Sequence, residues 1–533
     1  MGRTATRDQP AGTVRAERLA ERVLRAGDAV ATRLYGWRYN PLHQTGTIAF
    51  ALLLVLIVTG LYLLVFYRIS APWASVQRMV ADPWLGRWIR SLHRFASDAM
   101  VVAVVIHAFR MFAQARSWGP RALAWISGVT MLLFVFVSGW TGFVIVWDTF
   151  GARLAIAGAE LFDALPVLSE PVRRIFSGEG PIPGAFFFIN LFLHVAIPLG
   201  VAAGLWIHVS RVARPTLLPP RALNIAVIGG LTLLAIFLPA PLPPEANPFR
   251  LVTSVPADLV YGFWLPWTEG APAWVGWSAA TVVFVGAIMV PRFMRRPREG
   301  TWTPSFVDER LCTGCNQCPQ DCPWEAIAMQ PRTDGRTTLV AHVNPALCVS
   351  CGICAGSCPP MGVGPAARTG RDQVADIRAL ARQFAPTANP PIVAMLCANA
   401  PPGHRDALEQ AGATLHLLTC TGNLHTSAVE LALRGGAAGV IVFSCPPRDC
   451  RGREGPQWLE QRFYHDREAE LQERVDRRRV RLATAAAGDL AGTLASWESF
   501  RRDVLTLDTP SPDSLDDPDP ACDPQPVLTG RSR

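Results

Sequence analysis

Residues 91–110 read SLHRFASDAMVVAVVIHAFR and hold two histidines, His93 and His107, 14 residues apart in an apolar run. Residues 191–208, LFLHVAIPLGVAAGLWIH, repeat that interval between His194 and His208. Fourteen residues span about four helical turns, so both imidazoles of each run point to nearly one helix face, about 21 Å apart along the axis. An imidazole in lipid is costly without a partner. The two runs therefore predict paired membrane helices that hold a metal at two levels.

Glycines repeat the interval in two neighbouring apolar runs. Gly46 and Gly60 lie in one run, and Gly128 and Gly142 in the other. A flat macrocycle against a helix needs missing side chains at its own level, although glycines also let membrane helices pack closely. Four histidines and four glycines on one interval predict two haems, each held by one histidine from each helix, with the second ring nitrogen bonded to an acceptor.

The composition agrees with a largely membrane-embedded first half. The chain has 533 residues, of which 50% are hydrophobic and only 17% charged. Six apolar runs are long enough to cross a hydrocarbon core of about 30 Å: 46–67, 93–114, 122–147, 186–210, 222–240 and 273–294. Arginines gather at the ends of these runs, which favours membrane orientation over binding of nucleic acid, and the positive-inside rule predicts cytoplasmic termini. The expected location is the inner (cytoplasmic) membrane, with lipid around the spans.

The N-terminal segment, 1–44, contains a candidate amphipathic helix. Leu19, Val23, Val30 and Leu34 recur at helical spacing among arginines. This pattern predicts a helix on the membrane surface, with a solvated tail helix as the alternative.

Two runs of cysteines follow the apolar half, each with the spacing CxxCxxCxxxCP. Three thiolates of such a run bind one 4Fe–4S cluster, and the fourth binds the other cluster. Zinc sites do not carry paired runs of this kind. The predicted ligand sets are Cys312, Cys315, Cys318 and Cys358 for one cluster, and Cys348, Cys351, Cys354 and Cys322 for the other.

The last third of the chain alternates strand-like and helical stretches. The strand-like runs 392–396, 414–419 and 439–444 are followed at once by Cys397, Cys420 and Cys445, and Cys450 lies in the next loop. Because ligands gather at the carboxyl ends of parallel strands, these thiols are candidates for a third metal site. Buried structural thiols are the alternative. The tail, 507–533, is rich in Asp, Pro and Ser and is expected to be disordered, with Cys522 a bystander.

The paired histidines carry a family resemblance. Ser91-Leu92-His93-Arg94-Phe95 and His107-Ala108-Phe109-Arg110 resemble the second helix of cytochrome b from quinol-oxidising Rieske complexes, and the likeness extends over residues 15–215. It implies non-covalent b haems on His93 with His194 (outer side) and on His107 with His208 (cytoplasmic side). Arg94 and Arg110 would pair with haem propionates, or else be snorkelling interface residues. The family is commonly dimeric, so a homodimer is expected.

One motif of that family is altered. Its quinol-site tetrapeptide Pro-Glu-Trp-Tyr corresponds here to Pro256-Ala257-Asp258-Leu259. The glutamate that would accept a quinol proton is Ala257, and only Asp258 nearby could replace it. Quinol oxidation at the outer face is therefore expected to be lost or rebuilt.

Residues 391–506 are similar to the delta (iron–sulfur) subunit of methyl-viologen-reducing hydrogenases. Thr419-Cys420-Thr421-Gly422 and Cys445-Pro446-Pro447-Arg448-Asp449-Cys450 carry this resemblance. It implies a 2Fe–2S cluster on Cys397, Cys420, Cys445 and Cys450. It also implies cytoplasmic partners, namely hydrogenase, dehydrogenase or heterodisulfide-reductase-like subunits.

The sequence thus predicts a multidomain protein: an all-α transmembrane bundle of the cytochrome b type, an α+β ferredoxin domain and an α/β iron–sulfur domain. The boundaries are 45–215 for the dihaem core, 216–300 for two further membrane helices, 301–370 for the ferredoxin domain and 388–506 for the last domain. The expected function is electron relay between a cytoplasmic complex and the quinone pool. The alternatives are a quinol-oxidising cytochrome that drives reduction of a low-potential cytoplasmic acceptor, and a non-catalytic redox sensor or docking protein.

Overall fold

The computed structural model describes residues 11–165, 170–176, 182–210, 215–247, 258–293, 303–384, 390–465, 467 and 469–507. The chain divides into two compact units. One is Gln44–Arg295, and the other combines Met1–His43 with Arg296–Arg533. Pro256, Ala257, Cys522 and the predicted disordered tail beyond residue 507 lie outside the described residues.

The unit Gln44–Arg295 is helical. Its helices, after α1 of the other unit, are α2 (Thr45–Phe66), α3 (Pro72–Ala81), α4 (Gly86–Ala113), α5 (Ala122–Val144), α6 (Thr149–Asp163), α7 (Gly184–Ser210), α8 (Arg221–Phe237), α9 (Leu265–Gly270) and α10 (Ala273–Phe293). Among the described residues, α2, α4, α5, α7 and α10 are long and apolar enough to cross a membrane, while α8 has 17 residues. All six predicted apolar runs are therefore helices, and α8 is at the short limit of about 17 residues for a span.

The second predicted span begins earlier than expected. Helix α4 starts at Gly86, about two turns before the predicted start at residue 93. The carboxylate of Asp82 accepts hydrogen bonds from the backbone N–H groups of Trp84 and Gly86, at 3.0 and 3.1 Å. This acidic residue satisfies N–H groups at the helix start, so the polar residues before His93 join the helix.

Two antiparallel helix pairs form the centre of this unit. Helix α2 packs along α4, α5 packs along α7, and α8 lies against α4. The histidine-bearing helices α4 and α7 thus each have a glycine-bearing partner. The buried residues between them include Leu52, Ala96 and Val101.

The N-terminal helix α1 (Ala11–Tyr35) packs on the last domain of the chain. Nη2 of Arg451 lies 2.5 Å from Oε1 of Glu21, and the backbone of Ala29 lies against Gly488. One face of α1 is buried there, while the predicted apolar stripe remains 55–69% exposed: Leu19, Val23, Val30 and Leu34. The helix is therefore not a solitary tail, and contact of the stripe with lipid stays a prediction.

The ferredoxin region has two short two-stranded sheets. Strand β1 (Phe306–Val307) pairs with β4 (Val363–Gly364), and β2 (Ile327–Pro331) pairs with β3 (Leu339–Val343), both antiparallel. The cysteine runs lie on two short helices, α11 (Gln317–Asp321) and α12 (Ile353–Gly356), and on the adjoining loops. Helix α13 (Gly370–Ala381), with a Thr369–Asp372 capping box, leads to the next domain.

The last domain is a four-stranded parallel sheet in the order β6-β5-β7-β8. Its elements are β5 (Ile392–Cys397), α14 (His404–Gln410), β6 (Thr414–Leu418), α15 (Thr426–Arg434), β7 (Gly439–Ser444), α16 (Gly455–Tyr464), β8 (Val480–Thr484) and α17 (Leu490–Leu505). Strands β5 and β7 are buried along their whole length, which explains their continuous apolar sequences. The predicted fold class is confirmed.

Candidate functional site

Two histidines predicted to share a haem face each other inside the helical unit. The ring centroids of His93 on α4 and His194 on α7 are 6.2 Å apart. Two metal–nitrogen bonds of about 2 Å each, together with the two ring radii, require roughly this separation. His107 and His208, the second pair, also lie within electrostatic reach of each other. The structure thus brings the four histidines together as two pairs, one from each helix in both cases.

The second ring nitrogen of three of these histidines is already bonded. Nδ1 lies 2.8 Å from the Thr59 hydroxyl in His93, 2.9 Å from the Ser127 hydroxyl in His208, and 2.8 Å from the carbonyl oxygen of Ser138 in His194. When Nδ1–H donates to such an acceptor, Nε2 carries the lone pair that a metal needs. These rings therefore present Nε2 as the ligand atom.

The hydroxyl residues next to the spaced glycines are part of the site, although they were not predicted from the sequence. A Thr or Ser stands immediately before each of the four spaced glycines, at Thr45, Thr59, Ser127 and Thr141. Thr59 and Ser127 contact Nδ1 of a histidine as described, and the Thr141 hydroxyl lies 3.4 Å from Nδ1 of His194. Thr45 is buried at the fourth position. The repeated hydroxyl–glycine dipeptide was the available signal.

Each spaced glycine lies directly against one histidine ring. A Cβ atom would lie 3.0 Å from Cε1 of His107 at Gly46, and 3.3 Å from Cε1 of His93 at Gly60. The same holds in the second helix pair, at 3.3 Å between Gly128 and His208 and 2.7 Å between Gly142 and His194. The missing side chains thus make room for the imidazole rings themselves, at the levels where the sequence predicted room for a macrocycle.

A cavity of about 490 Å³ surrounds the first histidine pair. Its lining includes His93, His194, Gly60 and Gly142, and most of it is apolar. This volume is in the range of pockets that hold cofactors. Paired imidazoles, bonded Nδ1 atoms and an apolar cavity between the helices together fit a haem.

Arg94, a predicted propionate partner, has two carboxylates beside it. Its guanidinium contacts Asp98 and lies 2.5 Å from Oδ2 of Asp258. Oδ1 of Asp258 accepts the backbone N–H groups of the three residues from Val260 to Gly262. Arg94 is thus engaged by protein acids in this structure. Arg110, the other predicted partner, is 2% exposed.

The cysteines of the ferredoxin region lie near the other members of their predicted sets, and Cys354 also adjoins Cys318 of the other set. Cys318 and Cys358 each have Cys312 and Cys315 as electrostatic neighbours. Cys351 has Cys322 and Cys348 as such neighbours, and Cys354 adjoins both Cys351 and Cys322. Within the described residues, no disulfide joins any of the cysteines. The fourth cysteine of each run therefore lies with the other run.

Backbone N–H groups point at several of these sulfurs. Sγ of Cys348 accepts from Ser305 and Ser350 at 3.4 Å, and Sγ of Cys358 accepts from Gly362 at 3.3 Å. Such bonds stabilise negative charge on the sulfur and raise the reduction potential of a bound cluster.

Burial opposes ionisation of the thiols when no metal is present. It raises the pKa of Cys351 to about 12 and that of Cys358 to about 11. The thiols therefore hold their protons at neutral pH, and binding of iron must release them.

The third cysteine set converges at the carboxyl edge of the parallel sheet. Cys397 ends β5, Cys420 follows β6, and Cys445 follows β7. Sγ of Cys397 lies 3.3 Å from Sγ of Cys445, and Cys450 is within hydrogen-bond reach of both Cys420 and Cys445. These contacts link the four thiols in a chain at this edge of the sheet, where they could bind one metal cofactor.

The third set lies beside the second ferredoxin set. A Cβ atom at Gly452 would lie 3.3 Å from Sγ of Cys420 and 3.7 Å from Cβ of Cys351. Nδ2 of Asn423, three residues beyond Cys420, donates to the carbonyl oxygen of Gly352 at 2.9 Å. Gly352 directly follows Cys351 and has a φ of +80°. The hydrogen bond from Asn423 therefore joins the loop that carries Cys420 to the loop that carries Cys351.

Apolar membrane-length helices with paired histidines, joined to clustered cysteines, define a multi-pass membrane protein of the electron-transfer class. Residues 35–214 match the family cytochrome b/b6/petB, residues 311–361 the 4Fe-4S dicluster domain, and residues 392–508 the delta subunit of methyl-viologen-reducing hydrogenase. The chain is therefore a fusion of these three domains in that order, as the sequence predicted. Its cofactors include haem b and iron–sulfur clusters.

Known relatives cover the cytochrome part. The cytochrome b subunit of menaquinol:cytochrome c reductase from Geobacillus thermodenitrificans is 26% identical over 186 residues, which is 32% of this chain and 83% of that protein. Cytochrome b6 from Oltmannsiellopsis viridis is 28% identical over 187 residues, 34% of this chain and 86% of the relative. A solved hyperthermophilic respiratory Complex III chain covers 47% of this chain and is itself 75% covered, with 15% identity and a TM-score of 0.39.

Proposed function

We propose that this protein relays electrons between a cytoplasmic heterodisulfide-reductase-like or dehydrogenase complex and the quinone pool. The observation that carries the proposal is the contact between the third cysteine set and the Cys351 loop within one compact unit. Electrons that a delta-type domain receives from a soluble enzyme can continue toward the cytochrome only if its cysteine set lies next to a second cluster-binding set. Bound haems and clusters supply the one-electron chemistry, and the residues of this chain hold them in order.

The proposed ligands follow the geometry. His93 with His194 and His107 with His208 each hold one haem b, and in His93, His194 and His208 the ligand atom is Nε2. Cys312, Cys315, Cys318 and Cys358 hold one 4Fe–4S cluster, and Cys348, Cys351, Cys354 and Cys322 hold the other. Cys397, Cys420, Cys445 and Cys450 hold a 2Fe–2S cluster.

The two compact units support the sidedness of the iron–sulfur domains. Helix α1 precedes the first span and packs on the domain that follows the last one, as the Glu21–Arg451 pair illustrates. This packing supports the placement of both ends of the bundle in one compartment, which requires an even number of crossings. Among the described residues five helices reach full membrane length, and we assign α8 as the sixth crossing. The positive-inside rule assigns that compartment to the cytoplasm.

Quinone is proposed as the membrane-side substrate because two relatives of the cytochrome part are named as menaquinol:cytochrome c reductase subunits. The competing function is oxidation of quinol at the outer face, with Asp258 as proton acceptor. The environment of Asp258 argues against it, because its two carboxylate oxygens already accept hydrogen bonds from the Arg94 guanidinium and from three backbone N–H groups. A quinol hydroxyl would have to displace one of these donors to reach the carboxylate.

The test uses the full chain in lipid nanodiscs, reduced to completion and then mixed with a soluble menaquinone analogue. We expect the absorption bands of the reduced haems and the EPR signals of the reduced clusters to disappear together in the unmodified protein. In His208→Ala, which lacks one proposed haem ligand, the clusters should stay reduced at least tenfold longer. Asp258→Asn serves as the matched variant and should reoxidise normally.

Two outcomes would contradict the proposal. In one, quinone fails to reoxidise the unmodified protein. In the other, the clusters are reoxidised equally fast with and without His208. A large loss of rate in Asp258→Asn alone would support the competing function instead.

A further inference from the structure

A fully buried arginine lies between two cysteine sets. Arg462, on α16, is 0% exposed, and burial lowers the pKa of its guanidinium to about 10. Nε donates to the carbonyl oxygen of Trp458 at 3.0 Å and Nη2 to that of Gly422 at 2.7 Å. Gly422 is two residues beyond Cys420, so Arg462 is bonded directly to a loop that carries a ligand of the third set.

The other edge of the guanidinium faces the second ferredoxin set. Nη1 lies against Gly356, at the position that a side chain would otherwise fill, and Gly356 stands two residues after Cys354. Nη1 is buried and has no hydrogen-bond partner among the described residues. Arg462 interacts electrostatically with four titratable groups, those of Asp321, Cys420, Arg467 and Cys354.

Among the described residues, the carboxylate that interacts with Arg462 is that of Asp321, and it is already engaged. Asp321 is 0% exposed and accepts hydrogen bonds from Gln317, Ser357 and Arg467. A buried cation is costly unless a negative charge compensates it. In the part of the chain that the structure describes, Cys420 and Cys354 also interact with Arg462, and both become negative thiolates when they bind a cluster.

We propose that Arg462 is the buried counter-charge shared by the third cluster and the 4Fe–4S cluster on Cys348, Cys351, Cys354 and Cys322, and that it raises the reduction potentials of both. This rests on the ligand sets assigned under the proposed function. Each cluster gains one electron and one negative charge on reduction, with no bond made or broken. A fixed positive charge beside both clusters stabilises the reduced state of each.

The experiment is an EPR-monitored redox titration of the purified full chain, with Arg462→Gln as the charge-removing variant. We expect both adjacent clusters to become harder to reduce by about tenfold in the equilibrium constant, which is about 59 mV for one electron. Arg462→Lys should recover most of the potential because it keeps the charge. The cluster on Cys312, Cys315, Cys318 and Cys358 should shift least and serves as an internal control.

A second variant covers the case in which Arg462→Gln does not assemble. Arg462→Met removes the charge and keeps an apolar side chain of similar length in the buried site, so both potentials should again fall. Unchanged potentials in Arg462→Gln, or in Arg462→Met when the first variant is lost, overturn the proposal. A purely structural role is indicated if Arg462→Lys and Arg462→Gln lower the potentials alike, and that result also overturns it.

The same data separate this proposal from the proposed function. If the unmodified protein gives no EPR signal for a third cluster, the ligand assignment fails. If the signal is present but does not respond to Arg462, only the role of the arginine fails.

Discussion

The hydroxyl of Thr59 lies 2.8 Å from Nδ1 of His93, one residue before the glycine that packs on the same ring. Position 59 thus orients the imidazole, and position 60 makes room for it. This division of roles recurs at Ser127 and Gly128 around His208. Orientation and space are therefore encoded together in a dipeptide.

Replacement of Thr59 by valine removes the acceptor without changing the volume. The proposed haem on His93 should bind about tenfold more weakly, because loss of an outer hydrogen bond to a ligating histidine usually costs 10- to 100-fold. Haem content of the purified protein measures the effect. Thr130→Val is the control, because that hydroxyl donates only to the carbonyl oxygen of Ile126 one turn earlier. Equal haem content in the two variants would contradict the prediction.

Gly142→Ala should displace His194. The new Cβ would lie 2.7 Å from Cε1 of the ring, closer than carbon atoms normally approach. We expect the loss of about half of the bound haem, because the His107 and His208 pair is untouched. Pyridine haemochrome analysis gives the ratio of haem to protein. Gly200→Ala, on the same helix as His194 with open space at its Cβ, should retain both haems.

Cys450→Ser should remove the third cluster alone. Serine keeps the shape of the side chain but is a poor ligand for iron in this type of site. Non-haem iron should fall from about ten atoms per chain to about eight, as expected when one 2Fe–2S cluster is lost beside two 4Fe–4S clusters. Loss of all cluster signals would show that the two domains do not bind their clusters independently.

Asp321→Ala should destabilise the junction between the ferredoxin region and the last domain. The substitution leaves Ser357 and Gln317 without their buried acceptor and Arg467 without its ion-pair partner. We expect a loss of about 2–3 kcal/mol in the free energy of unfolding, measured by thermal loss of the visible cluster absorption. Glu409→Ala is the control. Glu409 forms a solvent-exposed ion pair with Arg405 on α14, and such pairs contribute at most about 1 kcal/mol.

The order of domains and the strand ends could be predicted because they depend on local patterns. Strands over 392–397, 414–418 and 439–444 lie where continuous apolar runs predicted them, and the cysteines directly after them share one sheet edge. The convergence of Cys450 with those thiols was an expectation from fold topology, and the structure brings them together. Periodicity and residue spacing are sufficient for a prediction where a single helix, strand or cysteine run contains the whole pattern.

The contacts that join distant segments could not be predicted. The position of α1 on the last domain depends on the Glu21–Arg451 pair, which local pattern does not encode. The Asp258 partner of Arg94 and the position of Arg462 between two ligand loops could not be predicted either, because each depends on residues that are adjacent only after folding. The early start of α4 was not predicted because the first residues of this helix, from Gly86, do not belong to the apolar run.

The packing of α1 on the last domain has a consequence for biosynthesis. Glu21 and Arg451 are 430 positions apart, so a ribosome at 5–20 residues per second needs about 20 to 90 s to deliver the second after the first. During that interval the spans enter the bilayer while the first helix emerges without its docking surface. The face of the helix that the last domain later buries, with Ala20, Leu24 and Ala31, stays uncovered by that domain meanwhile. Helix α1 is therefore synthesised first but can reach its final position only after the last domain has been made.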